Sequence, residues 1–121
     1  MAIKKIAVLG AGNGGQAAAA DLTLRGFEVS LFDMPSFEQN LKPIVERGGI
    51  EIQVERRKEI ADCSSIPTTF KVGVASEGFA KINRVTSDIQ KAVNGVDLIL
   101  VATTTAGHEM MMKLCAPYLK K

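Results

Sequence analysis

The chain has 121 residues, enough for one domain with a single hydrophobic core and too few for two. Hydrophobic residues make up 46% and charged residues 23% of it, and the net charge is only +2, which excludes an intrinsically disordered chain and a strongly basic nucleic-acid binder. The two cysteines, Cys63 and Cys115, lie far apart without metal-ligand spacing, so neither a disulfide framework nor a metal site is expected.

In chain order, MAIKKIAVLG carries two lysines, but its apolar run is about five residues long and soon meets glycines. Neither a signal peptide nor a membrane span is expected, and the simplest location for such a chain with reduced thiols is the cytoplasm. Residues 3–9, apolar apart from Lys4 and Lys5, have β-branched Ile3, Ile6 and Val8 and stop at Gly10, the pattern of a strand buried on both faces. Residues 16–24 (QAAAADLTL) suit a helix, which Arg25 and Gly26 end. Residues 27–32 (FEVSLF) alternate as a second strand and end at Asp33, and the short link through Gly26 implies a βαβ crossover. Pro35 can occupy the first turn of a second helix running to about Arg47, where Gly48 and Gly49 stop it.

The middle is less regular. Residues 50–54 alternate as a strand does, residues 70–75 do so less clearly, and the segment between them holds charges and turn formers. Residues 50–85 are therefore expected to be an irregular insertion of short strands and loops decorating the main sheet. Within it Arg56, Arg57 and Lys58 form a short basic cluster, of the kind that usually marks a solvated loop or strand edge. Val85 and Thr86 can form a brief strand, and Ser87 or Asp88 can cap a helix through Val93. Asn94-Gly95 then turns the chain into residues 96–102 (VDLILVA), a second strong buried strand. Residues 108–119 form an amphipathic helix that Pro117 breaks near its end, with Met110, Met111 and Met112 suited to packing. Alternating strands and helices predict an α/β domain of doubly wound, mostly parallel type with helices on both faces.

The residues with chemistry cluster at the first turn. Gly10-Ala11-Gly12-Asn13-Gly14-Gly15 satisfies G-x-G-x-x-G, follows a strand, opens a helix, and has Asp33 at the end of the next strand, 23 residues after Gly10. That is the Rossmann dinucleotide fingerprint, and each part has a physical reason. Gly10 permits the tight turn, Gly12 lets the backbone approach a pyrophosphate, Gly15 lets helix and strand pack closely, and the free amides of the helix start face the phosphates. Asp33 can accept hydrogen bonds from both ribose hydroxyls of NAD, while a 2′-phosphate would meet like-charge repulsion, so NAD is expected over NADP. Two alternatives stay open: Asp33 caps the next helix, or Arg25, Arg47 or a basic residue of the middle segment folds over the adenosine and admits NADP. Met34 follows Asp33 on the same rim. Ala102, Thr103 and Thr104, at the carboxyl end of VDLILVA, lie where the nicotinamide half should run. His108, the one histidine, is a candidate contact at the cofactor edge or a plain first-turn helix residue.

The stretches KKIAVLGAGNGGQAAAADLTLRGFEVSLFD, ERGGIEI, RVTSDIQKAVNGVDLILVAT and AGHEMMMKLCAPYL resemble the N-terminal domain of the octopine/nopaline (opine) dehydrogenase family. The chain is more distantly similar to glycerol-3-phosphate dehydrogenases and ketopantoate reductases. The resemblance covers nearly all of the chain. It implies NADH or NADPH as cofactor and, for the parent enzyme, reductive condensation of an amino acid with a 2-oxo acid. It also implies a second, helical domain supplying the catalytic groups and most of the substrate pocket, so residues 1–121 would be the dinucleotide-binding domain with no catalytic residue of their own. One departure is that many relatives have V-P-A after the apolar strand, where this chain has Thr103-Thr104-Thr105. The partners so implied are NAD(H) and that second domain; no nucleic acid or membrane is expected, and a homo-oligomer is compatible with the pattern. A free-standing NAD(H)-sensing module is the alternative from a different functional class.

Overall fold

In a computed structural model that describes residues 2–52 and 78–119, the strand expected first is β1, Lys5–Leu9, and every residue after Lys5 in it is buried. It pairs in parallel with β2, Glu28–Phe32, on one side and with a strand at Leu98–Val101 on the other. Three-residue strands at Ile50–Ile52 (β3), Gly78–Ala80 (β4) and Arg84–Thr86 (β5) precede that last strand, which is therefore β6. The main sheet runs β5-β2-β1-β6, parallel throughout.

Alternation along β1 builds two cores, because successive side chains of a strand point to opposite faces. Ile6 and Val8 join Val29, Leu31, Ala19 and Ala20 on the side of α1, Asn13–Leu24, together with Leu41 and Ile44 of α2, Glu38–Arg47. Ala7 and Leu9 join Phe32, Ala92, Val93, Met111 and Cys115 on the other side, where α3, Ile89–Val93, and α4, Thr105–Cys115, lie. Helices thus cover both faces, as the doubly wound pattern predicts. No helix among the described residues is long and apolar enough to cross a membrane.

Local chemistry explains the element ends. Gly26 at φ 101° and Gly48 at φ 78° stop α1 and α2 in backbone conformations that L side chains rarely adopt. Pro35 opens a 3-10 turn, Pro35–Phe37, that leads into α2. Of the two candidate caps for α3, the structure uses Asp88, whose Oδ1 accepts from the amides of Gln90 at 3.0 Å and Lys91 at 3.3 Å. Asp97 fastens the start of β1 beside β6, its Oδ2 accepting from the amides of Lys4 and Lys5, both at 3.0 Å.

Three expectations are corrected. Helix α1 begins at Asn13 rather than residue 16, so Gly14 and Gly15 are helical despite low propensity, because Gly15 must pack directly on the Gly10 carbonyl. The strand expected as buried over residues 96–102 is β6, shorter and at the sheet edge: Leu98 is 44% and Leu100 38% exposed. Both share a face with Ile6 and Val8, but α1 lies over β1 and β2 and leaves that face of β6 uncovered. Finally, β3 and β4 do not extend the main sheet; they pair antiparallel with each other as a separate ribbon against α1. The expected strand at 70–75, the basic cluster at 56–58 and Cys63 lie outside the described residues.

Candidate functional site

The turn between β1 and α1 is held from both neighbouring strands. Gly10 has φ 113° and donates its amide to the Phe32 carbonyl at 2.7 Å, at the end of β2. A Cβ on Gly10 would lie 2.7 Å from the Ala102 carbonyl oxygen and 2.9 Å from Thr103 Cγ2, at the end of β6. Glycine is therefore required there on two counts, conformation and space. The next residue, Ala11, is fully buried, and its amide donates to Asp33 Oδ2 at 3.0 Å. Gln16 closes the other side of the turn by donating Nε2 to the Ala11 carbonyl at 2.9 Å.

Asp33 is 6% exposed, and both of its oxygens are used: Oδ1 accepts from the Met34 amide at 2.8 Å, and Oδ2 also faces Asn40 Nδ2 at 3.5 Å. It caps neither the 3-10 turn nor α2, whose preceding residues Met34 and Phe37 make no side-chain cap. The carboxylate instead ties the end of β2 to the glycine turn. Arg25 pairs with Asp21 at 2.9 Å and Arg47 with Glu51 at 3.5 Å, so neither arginine folds over Asp33.

A pocket of about 670 Å³ opens here. Of the residues singled out in the sequence, Gly10, Gly12, Asn13, Gly14, Asp33, Met34, Ala102, Thr103 and Thr104 line it together. Nothing lies within 4 Å of a Cβ built on Gly12 or Gly14, so the backbone there is bare. Gly12 precedes α1 with no capping side chain, which leaves the first-turn amides of a 12-residue helix without intrahelical partners. Bare backbone, free amides and an adjacent buried carboxylate are what a pyrophosphate joined to a ribose requires.

Two of the expected residues lie elsewhere. Gly15 sits behind the turn, where a Cβ would collide with the Gly10 carbonyl oxygen. His108 is not among the lining residues; its Nε2 lies 3.0 Å from the Thr103 carbonyl, across the loop between β6 and α4. Thr103 itself is wedged between the turn and α4: a Cβ on Gly107 would come within 3.1 Å of its Cβ, and its buried hydroxyl has no hydrogen-bond partner among the described residues.

Sequence reasoning missed Phe37, Asn40, Ala106, Gly107, Met110 and Met111, all of which line the pocket. Met111 is buried as packing predicts, while Met110 is half-exposed on the rim. No motif marks these residues, because their presence depends on how α2 and α4 lie across the end of the sheet. A larger groove of about 870 Å³ between α2 and β5 contains none of the glycine-turn residues and lies along the opposite sheet edge.

No protein-family model matches the chain. It is 34% identical over 118 residues, 98% of its length, to an opine dehydrogenase of Arthrobacter sp. (strain 1C), and it spans 27% of that protein. Among solved structures, an octopine dehydrogenase with NADH and L-arginine superposes with a TM-score of 0.67 at 20% identity, covering 97% of this chain and 26% of that one. An octopine dehydrogenase in complex with NADH and agmatine gives 0.62 at 19%, again over 97% and 26% of the two chains. A diketoreductase gives 0.57 at 21%, over 96% and 38%. With its parallel sheet, glycine turn and terminal aspartate, the chain is a Rossmann-type domain similar, along nearly its whole length, to part of an opine dehydrogenase.

Proposed function

We propose that the chain is the NAD(H)-binding domain of an oxidoreductase of opine dehydrogenase type, within a longer protein that joins an amino acid to a 2-oxo acid by reductive condensation. The observation that carries this reading is the buried Asp33 carboxylate closed onto the Ala11 amide beside the bare backbone of Gly12 and Gly14. In it, Gly12, Asn13 and Gly14 receive the pyrophosphate on the free amides of α1, and Asp33 accepts from the adenosine ribose. Ala102, Thr103 and Thr104 border the nicotinamide half, and Met34 covers the adenosine side. When bound, the cofactor supplies a hydride, and the substrate groups come from outside these 121 residues. The 27% share of the Arthrobacter protein supports that division of labour.

NAD is favoured over NADP because, among the described residues, no lysine or arginine lines the pocket to offset a 2′-phosphate beside Asp33. His108 acts by fastening the loop through the Thr103 carbonyl rather than by touching the cofactor. The buried free thiol of Cys115 fits a reducing cytoplasm.

The test is titration of the chain with NADH, followed by nucleotide fluorescence or calorimetry. Binding is expected in the unmutated chain and is lost in Gly12→Val, whose side chain enters the open space the pyrophosphate needs. Equal affinity in the two proteins would overturn the reading.

A further inference from the structure

We infer that Asn40 is a specificity-determining residue of this site, sharing the adenosine ribose with Asp33 and setting the preference for NADH over NADPH; this rests on the cofactor reading above. Among the described residues, Asn40 is the one side chain that hydrogen-bonds Asp33. It belongs to the first turn of α2, is half-buried, and lines the same pocket.

The chemistry of a diol explains why a second group is needed. An ionised carboxylate only accepts, and Asp33 already accepts one backbone amide on each oxygen, at 2.8 and 3.0 Å. It can take the two hydroxyl protons of a ribose, but it offers nothing to the hydroxyl oxygens. Asn40 has two N–H donors. Its contact to Asp33 Oδ2, at 3.5 Å, is at the long limit of a hydrogen bond, and the second N–H makes no bond among the described residues. The neighbouring rim residues Met34 and Phe37 present apolar side chains, so Asn40 is the side-chain donor beside the carboxylate among the described residues.

The same neutrality disfavours NADP. A 2′-phosphate has no hydroxyl proton to give Asp33, and it brings a charge of about −1.5 to −2 that an amide does not balance. An arginine at this position would balance it and bind the phosphate oxygens bidentately.

Calorimetric titration of NADH and NADPH into the unmutated chain, Asn40→Ala and Asn40→Arg tests the assignment. Asn40→Ala is expected to weaken NADH by about fivefold, one hydrogen bond's worth, with NADPH affinity little changed. Asn40→Arg is expected to tighten NADPH by about tenfold, reversing or erasing the preference. Equal weakening of both nucleotides by Asn40→Ala would mark a merely structural role and overturn the proposal, as would unchanged NADH affinity. Failure of the unmutated chain to bind either nucleotide would instead overturn the cofactor reading itself, a result distinct from normal binding that is insensitive to position 40.

Discussion

At Gly15 a Cβ would collide with the carbonyl oxygen of Gly10, whereas around Gly12 nothing lies within 4 Å. The two glycines of one motif therefore serve different ends, one for packing and one for access. Gly15→Ala forces backbone apart in a dense core, and about 3 kcal/mol of stability should be lost in urea unfolding. Gly12→Val, at φ −76° and ψ −170°, sits in extended backbone that valine tolerates. Its stability should stay within about 1 kcal/mol of the unmutated chain, the cost of a poorer N-cap, so its loss of NADH binding is separable from unfolding. Gly10, Gly12, Gly15 and Asp33 were all legible in the sequence, because a positive φ, a missing side chain and a buried carboxylate each require particular residue types. The tie between Asp33 and Ala11 was not, since it joins residues 22 apart through the pairing of β1 with β2.

Among the elements, α3 has five residues, too few to persist without help, and Asp88 supplies it by accepting from two of its amides. Asp88→Ala should cost about 1 kcal/mol, read as a lower urea midpoint with an unchanged m-value. Ala92 and Val93, which α3 buries against Leu9 and Phe32, transmit that loss to the core. The sequence offered Ser87 or Asp88 as this cap, for a helix through Val93, and β1, β2 and the glycine stops of α1 and α2 were also visible there. The burial of β6 was not. VDLILVA reads as a buried strand by composition, yet Leu98 and Leu100 are exposed because β6 is an edge and α1 does not reach it. In the same way Ile50–Ile52 reads as a strand, but its three residues carry no mark of whether they join the main sheet or pair with Gly78–Ala80.

At the scale of the whole molecule, the candidate pocket lies where the carboxyl ends of β1, β2 and β6 meet the starts of α1 and α4. On the proposed reading, these 121 residues by themselves should bind NADH and turn nothing over, in keeping with a match to 27% of the Arthrobacter opine dehydrogenase. Steady-state assays with NADH, pyruvate and an amino acid check this, and measurable turnover would place catalytic groups inside the chain. By itself the sequence determined the strand–turn–helix order, the bare glycine backbone and the acidic strand end, because these follow from backbone conformation and side-chain chemistry at single positions. Only the tertiary structure decided that Phe37, Asn40, Met110 and Met111 join the pocket, that His108 turns to the Thr103 carbonyl, and that β6 is an edge. Those outcomes depend on the angles at which helices cross the sheet, which are set by the packing of both cores together and written in no single residue.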